Sequence, residues 1–365
     1  MKVIKKYKKM KVNIKLQSSK KMIIKHIAIC IVLFNFIACN TNSFENLLKS
    51  AEKGDAEAQY KVYAYYFYGK ENIPKDCNKA VEWLQKSANK GYVYAQYDLG
   101  CCYDNGECLP KNYEKAVEWY QKAALQGLAE AQYNLGIHYR NGKGIKQDYN
   151  KAVELYQKAA NQGYANAQCN LGVMYEKGLG VEQDYEKAVE WFQKAANQGD
   201  VTAQYNLGNM YKNGQGVEQD YNKAIEWYKK AAEQEFAAAQ YSLGWMYENG
   251  KGVEQDYHKA FELYQKAANQ DYTSAQNNMG CCYQNGIGVE IDYSKAFEWY
   301  KKAANKGDAV AQDNLGNMYE FGLWVKQDYQ KASEWYLEAV KNGDEEALIH
   351  LQLLNDKIKR LIKYN

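Results

Sequence analysis

Between residues 203 and 234 the chain reads AQYNLGNMYKNGQGVEQDYNKAIEWYKKAAEQ, and its small and apolar positions form two helical stripes. Ala203, Leu207, Gly208 and Tyr211 share one face of a first helix. The run NGQG then breaks it, because Gly214 and Gly216 can take the positive φ of a helix end and tight turn. Asp220 stands where an N-cap belongs, its carboxylate suited to exposed amides and the helix dipole. Tyr221, Ala224, Ile225, Tyr228, Ala231 and Ala232 form the stripe of a second helix. The pattern predicts an antiparallel helix pair.

That pair recurs. Its leading alanine is Ala58, Ala95, Ala131, Ala167, Ala203, Ala239, Ala275 and Ala311, with an incomplete ninth copy from Ala347. The capping aspartate recurs as Asp148, Asp184, Asp256, Asp292 and Asp328, with Asn112 in the second copy. GVEQDY, at 180–185, 216–221 and 252–257, reads as the hinge inside the pair. Most second helices stop near a glycine such as Gly163 or Gly199, which Glu235 and Asp271 replace in two copies. One helix pair cannot bury its own apolar face, so neighbours must stack. The glycine after the leucine, as in Gly136, Gly172, Gly208 and Gly316, predicts close approach of a large side chain. Trp83, Trp119, Trp191, Trp227, Trp299 and Trp335 are the expected fillers.

The pattern AQYNLGxMYxxGxGVxxDYxKAxEWYxKAAxxG resembles the Sel-1-like repeat, a relative of the tetratricopeptide repeat. The resemblance implies an all-α fold, a right-handed α/α superhelical solenoid of antiparallel helix pairs. It also implies a scaffold that holds proteins together. Four segments are expected: a leader over 1–39, a short lead-in over 40–54, eight repeats over 55–346, and a capping helix over 347–365. The cap should bury Leu351, Leu354, Ile358 and Leu361 on one side.

In such a solenoid the first helices line the concave surface, where a protein or peptide ligand would lie. The third residue after the alanine reads Asn134, Asn170, Asn206, Asn278 and Asn314 in five copies, a row whose amides can hydrogen-bond an extended chain. Ile137, His138, Met174, Trp245, Met246 and Met318 are expected to form an adaptable apolar border to it. The alternative is that this row is ordinary solvated surface.

Charge and chemistry narrow the picture further. Removing the ten lysines of residues 1–39, where no acidic residue stands, leaves 37 basic against 44 acidic residues, a balance of −7. Such a chain has no evident reason to bind nucleic acid. The glycine turns are not followed by the Gly-Lys-Ser/Thr of a phosphate loop. No metal or other cofactor is expected, and no catalytic motif stands out. The basic start and the short run IAICIVLFNFIA, 27–38, read as an export signal, with Met22 an alternative start. FIAC, ending at Cys39, resembles a bacterial lipobox. It implies lipidation of Cys39 and anchoring in the cell envelope, with plain secretion as the alternative. In an exported chain Cys77 is expected to form a disulfide with Cys101, Cys102 or Cys108, which antiparallel stacking brings near it. A cysteine-rich secreted subset of Sel-1-like proteins is described as β-lactamase or penicillin-binding, which supplies an alternative function. That subset places a cysteine pair at the junction between repeats, which here reads KAANQGDVTAQ, 194–204, without cysteine.

Overall fold

The computed structural model describes residues 44–70 and 73–364. The leader, Met22 and Cys39 lie outside these. The described residues form eighteen helices and no strand. They fall into two compact units, dividing after Asn112. The first unit holds helices Phe44–Glu52, Ala56–Tyr68, Cys77–Asn89 and Val93–Asn105. The second opens with Tyr113–Leu125. It continues through six pairs, from Ala129–Asn141 with Tyr149–Asn161 to Ala309–Phe321 with Tyr329–Lys341, and closes on Glu345–Tyr364. Within each unit, consecutive helices pack on one another.

The N-caps form as the sequence predicts. Asp148, Asp184, Asp220, Asp256, Asp292 and Asp328 each accept a hydrogen bond from the backbone amide three residues on. A first-helix glycine such as Gly214, at φ +68°, closes the preceding helix in the left-handed conformation. The second glycine of the turn has a further use. A Cβ on Gly144, Gly180 or Gly216 would run into the backbone of Tyr113, Tyr149 or Tyr185, at the start of the preceding second helix. Cys108 takes that place in the first unit, at φ +60°, and is bonded to Cys77, which starts its preceding second helix. The Cα atoms are 5.1 Å apart, so a covalent bond occupies the contact made elsewhere by glycine on backbone. Cys101 and Cys102 are outside this disulfide.

The glutamine after each leading alanine carries weight that periodicity does not reveal. Gln132, Gln168, Gln204, Gln240, Gln276 and Gln312 are buried. Each donates to a carbonyl at the end of the preceding second helix, as Gln168 does to Ala160 at 3.1 Å. Each of those carbonyls also accepts from the backbone amide three residues on, as Ala160 does from Gly163 at 3.0 Å, so the glutamine supplies the second donor to a buried carbonyl at a helix end. Gln162, Gln198, Gln234 and Gln270 then donate to the glutamine oxygen of the first helix of their own repeat.

Several expectations need correction. The glycine after the leucine is filled by the ring one residue beyond the tryptophan position. A Cβ on Gly208 would stand 2.6 Å from Tyr228, and Gly172 likewise faces Phe192. The tryptophans pack at the margin of the core, with Trp227 buried in it, and lysine covers their faces: Lys122, Lys194, Lys230 and Lys302 lie 3.7–3.9 Å from the ring centroids of Trp119, Trp191, Trp227 and Trp299. The lead-in includes a helix, Phe44–Glu52, whose Phe44, Leu47 and Leu48 pack on the first repeat. The closing helix begins at Glu345 and buries Leu351 and Leu354, whereas Leu361 is 46% exposed.

Candidate partner-binding face

The residues of the expected site separate by their angle around the first helix. His138, Met174, Met246 and Met318 each lie seven residues after the leading alanine, nearly two turns at about 3.6 residues per turn. They therefore return to the alanine's own packed face. All four are buried, and the His138 Nδ1–H donates to the Lys143 carbonyl at 2.8 Å. They are core, and the expected border does not include them. Ile137 and Trp245, one residue earlier, are only half-buried, with the Lys212 ammonium 5.7 Å from the Trp245 ring centroid.

The asparagines Asn134, Asn170, Asn206, Asn278 and Asn314 are half-buried at the edge of the packed face. Part of the row is engaged within the protein. Asn314 donates to Asn277 in the preceding first helix at 3.1 Å. Asn278 lies beside the buried Tyr264 phenol, easing the rise that burial and Glu248 impose on it. The same register holds the closing helix, where His350 meets the buried Asp313 at 2.8 Å.

Periodicity does not pick out a second set, the residues that face the buried second-helix tyrosine. Six and nine residues after the alanine, first-helix side chains reach the hydroxyl of that tyrosine. Tyr228 donates to Asn209 at 2.6 Å, and Tyr264 donates to Glu248. Tyr300 donates to the Cys281 sulfur at 3.4 Å, and Tyr336 to Glu320 at 3.0 Å and Asn317 at 3.2 Å. Repeat three places Ile137 and Arg140 at these two positions. Neither can accept a hydrogen bond. The Tyr156 hydroxyl there is buried with no hydrogen-bond partner. Burial pushes this phenol up to about 12 even though the Arg140 charge and the nearby Asn170 amide pull it down. Repeat four has the opposite mismatch. Glu176 stands where Glu248 and Glu320 stand, but its ring is Phe192, without a hydroxyl. Burial raises the Glu176 carboxyl, with only Lys177 offsetting it.

The groups that could do covalent chemistry are scattered or quenched. His258 meets the Gly288 carbonyl at 3.0 Å, far along the chain from His138 and His350. Burial pushes the Cys102 and Cys282 thiols up to about 12 and raises Cys169 and Cys281, opposite to what a nucleophilic thiolate needs. Among the described residues no group of three or more His, Cys, Asp or Glu could hold a metal ion. No described helix is long and apolar enough to cross a membrane.

The Sel1 repeat signature matches eight consecutive stretches: 56–92, 93–128, 129–164, 165–200, 201–236, 237–272, 273–308 and 309–344. The chain belongs to the Sel1 repeat family. Among solved structures it is similar to a protective antigen present in uropathogenic Escherichia coli strains that displays an SLR fold. The two share 38% identity with a TM-score of 0.76, over 86% of this chain and 68% of that one. It is also similar to a Sel1 repeat protein from Oxalobacter formigenes, at 34% identity and TM-score 0.67, over 85% of this chain and 90% of that one. A shorter likeness, 35% over 63 residues, links it to the ERAD-associated E3 ubiquitin-protein ligase component HRD3A of Arabidopsis thaliana. YibG of Escherichia coli K12 matches at 38% over 61 residues. The chain spans 9% and 37% of the length of these two curated relatives. The protein is thus a Sel1 repeat solenoid, and its helix-turn chemistry is the repeat's own.

Proposed function

We propose that this Sel1 repeat array is a scaffold that binds a protein or peptide partner along the exposed side of its first helices. The observation that carries the reading is the half-buried row on that side, with Asn170, Asn206 and Trp245 among its members, flanked by the charged Arg140, Glu176 and Lys212. Half-buried amides and aromatic groups give a partner both hydrogen bonds and apolar contact at low ordering cost. The second helices, by contrast, carry tryptophans whose faces lysine already covers, as Lys194 covers Trp191. We further propose export of the chain, with Cys39 as the lipid-bearing residue of an envelope anchor.

Affinity capture from envelope extracts, followed by titration of each captured partner, tests the scaffold. Three baits suffice: wild type, an Asn206→Ala/Lys212→Glu/Trp245→Ala variant, and a second-helix Lys194→Glu/Lys230→Glu variant, all checked for helicity. Loss of a partner by the first variant alone supports the reading. Equal capture by all three baits, or loss only through the second-helix changes, refutes it. Cys39→Ser should move the protein from the membrane to the soluble fraction, and unchanged fractionation would exclude lipid at Cys39.

A further inference from the structure

The mismatches in repeats three and four are complementary, and they lie on adjacent first helices. Among the described residues Arg140 forms no ion pair, and its only side-chain hydrogen bond there is a long one to the neighbouring Asn141, at 3.3 Å. The Tyr156 hydroxyl beside it is a buried donor without an acceptor. Asn170 adds an amide at the same place. One repeat further on, Glu176 is a half-buried acceptor whose carboxylate has no hydrogen bond or ion pair among the described residues, and the Phe192 ring facing its repeat has no hydroxyl to offer. Four later repeats answer the same positions internally, through Asn209, Glu248, Cys281, and Asn317 with Glu320. The mismatch is therefore a property of these side chains and not of the repeat geometry.

Resting on the scaffold reading above, we propose that repeats three and four bind an extended peptide segment whose carboxylate is taken by Arg140, Tyr156 and Asn170 and whose ammonium or guanidinium is taken by Glu176. An arginine fork with a hydroxyl and an amide is a donor-rich receptor for a carboxylate. A desolvated carboxylate gains most from a cation, and the raised Glu176 pKa records that desolvation. Neighbouring first helices lie on the order of 10 Å apart. An extended chain advances about 3.3 Å per residue, so the two charges of the segment stand three residues apart. The ligand class is an acidic–x–x–basic segment or its reverse.

The test uses the full chain and fluorescein-labelled peptides, flanked by glycine and serine, carrying Glu-Gly-Ser-Lys, Lys-Gly-Ser-Glu, or glutamine at both charged places. Anisotropy at low salt should give one charged order at least tenfold tighter than the glutamine peptide. Arg140→Gln and Glu176→Gln should each lose at least tenfold, and Arg140→Glu/Glu176→Lys should invert the preferred order. Tyr156→Phe should weaken binding several-fold while raising the melting temperature, a combination that a purely structural hydroxyl cannot give. Circular dichroism controls for folding in every variant. The proposal is overturned if neither charged order exceeds the glutamine peptide, or if both single variants bind unchanged. In that event, a captured partner still lost by the Asn206/Lys212/Trp245 variant leaves the scaffold standing, whereas failure of both removes it.

Discussion

Repeat eight and repeat three fill the same two positions on the same kind of helix pair, with opposite results. In repeat eight the Tyr336 hydroxyl donates to Glu320 at 3.0 Å, and Lys357 of the closing helix reaches the same carboxylate at 3.0 Å. Every polar group in that cluster has a partner. In repeat three Tyr156 meets Ile137 and Arg140 and has none. The contrast teaches that a repeat backbone sets where groups meet, while the pairing of donors with acceptors decides whether a face is closed or left open to a ligand.

Breaking the closed side should have the largest effect. Glu320→Ala removes the acceptor shared by Tyr336 and Lys357 and should cost about 2–3 kcal/mol in urea unfolding, with faster amide exchange in 345–361. An unchanged midpoint would mean the cluster is incidental. The two tyrosines then give opposite signs for one substitution. Tyr336→Phe should cost about 1–2 kcal/mol, because it leaves Glu320 short of a donor. Tyr156→Phe should gain about 1 kcal/mol by removing a buried hydroxyl without a partner. Equal signs in calorimetry would end the comparison.

Closing the open side sharpens it. Phe192→Tyr gives Glu176 the phenol that Glu320 enjoys, and should gain about 0.5–1 kcal/mol. A loss would show that the ring cannot carry a hydroxyl there. The smallest effect is in pH. Glu176 has a folded pKa above its ordinary value, so the native state holds its proton more tightly than the unfolded chain does. Wild type therefore gains stability relative to Glu176→Gln as pH falls through the raised value toward the ordinary carboxylate range. Above that window the glutamine variant should lead by less than about 1 kcal/mol. Urea midpoints at several pH values follow this, and a difference independent of pH would contradict it.

The fold was legible because its signals are local. Gly214 announces the end of one helix and Asp220 the start of the next from their own chemistry, and the recurrence from Ala58 to Ala311 requires stacking. The candidate face was legible only in part. The asparagines lie half-buried at the edge of the packed face, whereas Met174 and Met246, expected at their border, are core, because an offset of seven residues returns them to the alanine's own face. Likewise the fillers expected to be tryptophans are the rings beside them, since one residue rotates a side chain by about 100°.

The sequence by itself determined the helix pairs, their period and caps, and the glycines that turn the chain, because each depends on residues a few positions apart. Only the tertiary structure decided which buried groups answer one another. It joined Cys77 to Cys108, gave the end of each preceding second helix its glutamine, and left the Tyr156 hydroxyl and the Glu176 carboxylate without a hydrogen bond among the described residues. Those outcomes depend on groups from 8 to 31 positions apart meeting at hydrogen-bond or covalent distance, and linear periodicity does not encode that distance.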